Sequence, residues 1–60
     1  MDNSYIVVIL YKRASKDSYN KIHCQVYADN EYTAVAKACR IFGEMNEEIE
    51  DAIVVSVKEE

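Results

Sequence analysis

The sequence has no proline and a single glycine, Gly43. Without clusters of either residue there is no linker signature, and few points force a strand or helix to break. There is one histidine, His23, and there are two cysteines, Cys24 and Cys39. A structural zinc site takes about four His or Cys ligands at recognisable spacing, so these three residues do not supply one. One glycine cannot make a glycine-rich phosphate loop. No apolar run approaches the roughly 20 residues that span a bilayer. The start, Met1-Asp2-Asn3, lacks the basic residues of a secretory signal. These absences predict a cytoplasmic chain that engages no membrane and holds no metal or cofactor.

Half of the 60 residues are hydrophobic, which suits a compact fold and argues against disorder. The length predicts one domain over residues 1–60. A chain of this size buries only about 60% of the surface its unfolded form exposes, so its stability is expected to be marginal without a helper such as self-association.

The stretch SYIVVILYKR (4–13) is rich in β-branched and aromatic residues and predicts a strand. Apolar residues fall on both of its faces, as in a central strand. ASKDSYN (14–20) is polar and predicts a hairpin connection. KIHCQVYA (21–28) alternates as a half-buried strand does. DNEYTAVAKACRIFG (29–43) begins with residues that cap a helix and continues with Ala34, Val35, Ala38, Ile41 and Phe42 at helical spacing. Gly43 suits the left-handed residue that ends a helix, although Met45 would carry the stripe one turn further. AIVVSVK (52–58) alternates again. The order β-β-α-β predicts a small α+β domain. Its three antiparallel strands run in the order 2-1-3, with one helix on one face of the sheet.

Two apolar faces and one helix leave one face uncovered. The alternating set Ile22, Cys24, Val26, Ile53, Val55 and Val57, completed by Ile6, Val8 and Leu10, is the expected core. The uncovered face would then carry Tyr5, Val7, Ile9, Tyr11, His23, Tyr27 and Val54. An exposed apolar patch of this kind marks an interface. Tyr5, Val7, Ile9, Tyr11, Tyr27 and Val54 are therefore the candidate contact residues, with a homodimer as the expected first use.

Catalysis finds little support in the sequence. His23 and Cys24 are adjacent on a strand, so their side chains point to opposite faces and make no dyad. A Cys24–Cys39 disulfide is geometrically conceivable, but cytoplasmic conditions keep thiols reduced. The chain is expected not to be an enzyme.

The net charge of -4 is unevenly spread. Through Arg40 there are six bases and four acids; beyond it there is one base, Lys58, and seven acids. GEMNEEIED (43–51) alone carries Glu44, Glu47, Glu48, Glu50 and Asp51. This run is either a solvated connection or a surface presented to a basic partner. A second cluster, Lys12, Arg13, Lys16 and Lys21, surrounds the hairpin connection and is expected to be solubilising charge.

In size and charge the whole chain resembles small phage-encoded inhibitors, including anti-CRISPR and DNA-mimic proteins. That resemblance implies a non-catalytic module that occludes a surface of a nucleic-acid-handling complex. Two alternatives stand beside it. One is an accessory or assembly protein that acts through self-association. The other is a single-strand nucleic-acid binder that stacks bases on Tyr5, Tyr11 and Tyr27, less favoured because the chain is acidic.

Overall fold

The computed structural model describes residues 2–45 and 48–60. They form β1 (Asn3–Arg13), β2 (Tyr19–Ala28), α1 (Glu31–Met45) and β3 (Ile49–Glu59). The sheet order is β2-β1-β3, with β1 antiparallel to both neighbours. This is the α+β architecture that the element order predicts. No helix among the described residues is long and apolar enough to cross a membrane.

Local chemistry explains the element ends. The Lys16 amide donates to the Arg13 carbonyl at 3.0 Å, closing a turn in the hairpin connection. Asn30 caps α1: its Oδ1 accepts from the Thr33 amide at 2.9 Å, and its carbonyl accepts from the Ala34 amide at 3.0 Å. Glu31 sits in the first turn, where the helix dipole favours an acid. The Lys37 Nζ donates to the Tyr27 carbonyl at 2.7 Å and ties α1 to β2.

At the other end α1 runs through Gly43 to Met45, so Gly43 does not terminate it. No glycine has a positive φ. Among the described residues the left-handed one is Glu48 (φ 59°), whose carbonyl accepts from the Ala14 amide at 2.8 Å. β3 then starts at Ile49, which draws Glu50 and Asp51 into the strand instead of leaving them in a solvated connection.

The helix covers the side of β1 opposite to the expected one, while Ile22, Cys24 and Val26 of β2 and Val57 of β3 lie on the helix side as expected. Tyr5, Val7 and Ile9 are buried with Val26, Ala28, Ala34, Ala38 and Phe42; Val7 is 0% and Ile9 1% exposed. Ile22, Cys24, Val54 and Val57 pack at the margin of this core. Register is the cause. Residues directly opposite in an antiparallel pair share a face. The ladder sets Tyr5 against Val26, Val7 against Cys24 and Ile9 against Ile22. The apolar side of β2 therefore joins Tyr5, Val7 and Ile9, and Ile6, Val8 and Leu10 turn away from the helix.

β3 departs from the simple pattern for a second reason. Val8 pairs with Ser56 but Ile9 pairs with Val54, so Val55 is a bulge residue. Val57 stays on the helix side, Val54 joins it, and Ile53 and Val55 become 52% and 48% exposed.

The face assignment predicts opposite outcomes at neighbouring positions. Val7→Lys places an unpaired charge in the core and should abolish cooperative thermal unfolding, because such burial costs several kcal/mol, of the order of the whole stability of a small domain. Val8→Lys should retain a cooperative transition. Asn30→Ala should lower stability by about 1 kcal/mol through loss of the cap, read by urea denaturation. A Val8→Lys chain that unfolds while Val7→Lys melts normally would reverse the assignment.

Candidate functional site

The helix packs its alanines on the sheet. Ala34 and Ala38 are fully buried, and such small side chains allow close approach. Phe42 meets Tyr11 edge to face, with centroids 5.0 Å apart. Beside this contact an apolar groove of about 370 Å³ opens between α1 and β3. Cys39, Phe42 and Gly43 line it from the helix; Ile49, Ala52, Ile53 and Val54 line it from β3, and Ile9 from β1. β3 is an edge strand, bonded to β1 on one side only. Between the irregularities near Val55 and Glu50, its regular stretch runs from Asp51 to Val54, along the groove.

Gly43 is the unexpected member. It lies within the helix, where glycine is about 1 kcal/mol less favourable than alanine. No backbone requirement explains it, since its φ is not positive. A Cβ built there would meet nothing within 4 Å. Gly43 leaves the helix wall of the groove bare.

The candidate acidic surface is only partly free. Glu44 is exposed on α1, Glu48 is exposed beside the hairpin, and Glu47 lies outside the described residues. Lys12 forms an ion pair with Glu50. The Tyr19 hydroxyl donates to Asp51 Oδ2 at 2.7 Å, reaching across Lys12, which is paired with both Tyr19 and Asp51 in the sheet. The fold thus brings the basic hairpin and the acidic run to the same end of the sheet. Part of the acidic field is answered within the chain.

The candidate sheet interface is corrected. Tyr5, Val7 and Ile9 are buried beneath the helix, and Tyr11 and Val54 pack against that core. Tyr27 alone of the six is exposed, at 59%, on the opposite side. The stacking platform expected from Tyr5, Tyr11 and Tyr27 is therefore not assembled. The solvent-facing side of the sheet instead carries half-buried Ile6, Val8 and Leu10 along β1. A shallow hollow of about 490 Å³ lies there, lined by Ile6, Val8, His23, Ser56, Lys58, Glu59 and Glu60. At one end Gln25 Nε2 donates to Ser4 Oγ at 3.0 Å and to Glu60 Oε1 at 2.9 Å, tying β2 to β1 and to the residue that follows β3.

His23 is exposed on this hollow, while Cys24 packs on the helix side, the separation that their adjacency predicts. Both cysteines are free thiols, Cys24 half-buried and Cys39 exposed. Burial, and then the neighbouring Cys39, raise the Cys24 pKa, which disfavours its reactive thiolate. Among the described residues no group of three or more His, Cys, Asp or Glu converges as a metal site. Comparison with protein-family models, with curated proteins and with solved structures finds no match.

The groove escapes sequence reading because its walls come from distant segments. Its one sequence signal is a glycine set inside an apolar helical stripe that continues beyond it to Met45.

The Tyr19–Asp51 contact predicts a pH effect. The hydrogen bond to Asp51, slight burial, and the charges of Asp51 and Glu50 raise the Tyr19 phenol above its usual value of 10.0. A group whose folded pKa is raised contributes stability that is fully present below the unfolded value. That contribution is lost as pH rises through the folded value. The difference between ultraviolet titrations of wild type and Tyr19→Phe should show a phenol with a midpoint above 10.0, and Asp51→Asn should bring it down. An unchanged midpoint in Asp51→Asn would contradict the contact.

Proposed function

We propose that the protein is a small, non-catalytic, acidic protein-binding module that works by covering a surface of its partner. The apolar groove between α1 and β3, lined in part by exposed Ile53, carries this reading. Contiguous apolar surface on a small chain is the usual mark of an interaction site. Charge supports a basic partner: positions 41–57, which supply most of both walls, contain no lysine or arginine. A basic groove on a nucleic-acid-handling complex has this character, and occlusion of it would make the module an inhibitor. The same charges favour a protein partner over nucleic acid, and the burial of Tyr5 removes a ring on which stacking would depend.

Self-association is the second reading, and the free edge of β3 supports it. An unpaired edge is a template for another strand, including that of a second copy.

Affinity purification of the tagged chain from its native host, read by mass spectrometry, should recover a basic partner. Replacing Glu44, Glu47, Glu48, Glu50 and Asp51 by Gln or Asn should leave the fold intact, since exposed charges contribute little individually. Association with that partner should slow and lose much of its salt dependence. Because Glu50 already has Lys12 and Asp51 has Tyr19, changes at Glu44, Glu47 and Glu48 should account for most of the effect. Recovery of the chain alone favours self-association, and nuclease-sensitive recovery overturns the protein-binding reading.

A further inference from the structure

We propose that the groove between α1 and β3 receives an extended segment of the partner protein, added to β3 as a fourth strand. Apolar side chains at alternate positions of the segment enter the groove, and basic residues alternate with them. This inference rests on the protein-binding reading above and specifies its site and its partner chemistry.

Three independent observations converge on the groove. The first is backbone. β3 has a free edge, and its regular stretch Asp51–Val54 borders the groove. An added strand obtains affinity from main-chain hydrogen bonds, and pockets for alternate side chains provide selectivity. The second is shape. An edge strand and a helix bound an apolar space of about 370 Å³, and Ile53 beside it is half exposed. Gly43 gives up helix stability with no conformational return, and its missing side chain widens that space. The third is charge. The wall segments carry acids and no base from 41 to 57, and Glu44 and Glu48 are exposed. A purely apolar segment would leave these charges unanswered; a basic one complements them.

The opposite sheet face is a poorer candidate. Its aliphatic lane runs along the middle strand, where Ile6 and Val8 are flanked by polar Gln25, His23, Ser56 and Lys58, and only Leu10 has an aliphatic neighbour toward the β3 edge, exposed Ile53.

The probe is a fluorescein-labelled octapeptide alternating valine and lysine. Control peptides replace lysine with glutamate, or valine with serine. Fluorescence anisotropy and amide NMR spectra of the full chain give affinity and site. Saturable binding is expected for the valine–lysine peptide and weaker binding for both controls. Amide shifts should cluster at Cys39–Gly43 and Ile49–Val54, with slowed hydrogen exchange at the edge-facing amides of Asp51–Val54. Gly43→Leu fills the groove and should weaken binding about tenfold or more. Its thermal midpoint should not fall, since leucine is the better helix former. Gly43→Ala should give an intermediate loss, and Val8→Lys on the other face should bind as wild type.

Shifts centred on Ile6, Val8 and His23, unchanged affinity in Gly43→Leu, equal binding of the glutamate peptide, or no saturable binding at millimolar peptide would each overturn the proposal. So would a dimer in sedimentation whose edge-facing amides within Asp51–Val54, those not bonded to β1, are already protected without peptide, because a second copy would then hold the groove. If Gly43→Leu still captures the partner recovered by wild type, the groove assignment fails and the protein-binding function stands. If wild type captures no protein from its host although the peptide binds as expected, that function fails while the groove assignment remains.

Discussion

The register of β1 against its two neighbours governs the rest of this structure. β1 is apolar on both sides, so nothing in its own pattern determines which side meets the helix. The pairing decides. With Val7 opposite Cys24 and Val57, one apolar row runs across all three strands, and α1 settles over it. A shift of one residue on β2 would align Cys24 with Val8 and turn the sheet over, since side chains alternate with a period of two. The short polar connection between Arg13 and Tyr19 sets that parity. The burial of Tyr5, the contact of Tyr19 with Asp51 and the side of β3 that faces Gly43 all follow from it.

Much of the architecture was legible because it depends on composition and period. The β-branched stretch of β1, the clean alternation of β2, the Asn30 cap and the Ala34–Ala38–Phe42 stripe each announce their element. Their order predicts the sheet. What was not legible depends on phase. The inward side of β2 follows from its alternation, but matching it to a side of β1 requires the loop geometry. In β3 the alternation Ile53, Val55, Val57 is misleading, because the bulge at Val55 changes the frame midway. The candidate site suffered twice. The expected interface was assigned to the wrong face, and the groove exists only once α1 continues past Gly43 and β3 begins as early as Ile49.

Charge in this chain carries more internal meaning than its total suggests. The acids after Arg40 look like a separate block in the sequence, yet the hairpin returns Lys12 to Glu50 and Tyr19 to Asp51. An exposed ion pair of this kind contributes about 0–1 kcal/mol, too little to hold the fold. Its consequence is directional. It quiets the outer side of β3 and leaves Glu44 and Glu48 as exposed acids flanking that end. A block of like charge can thus be divided by folding into neutralised and available parts, and only the second attracts a partner at long range.

The bulge also makes β3 unequal in its tolerance of length change. Val55 has no residue opposite it on β1, whereas Val54 and Ser56 do. Removing Val55 alone would close the ladder while every other pairing in the strand keeps its partner. Losing a residue at Ala52 or Val57 would force one half of the strand out of phase, carrying its aliphatics to the opposite side. Related chains that differ by a single deletion in this strand would therefore be expected to share an architecture when the gap falls at the bulge. A gap elsewhere in the strand, other than at the second unpaired residue Glu50, would require a compensating insertion.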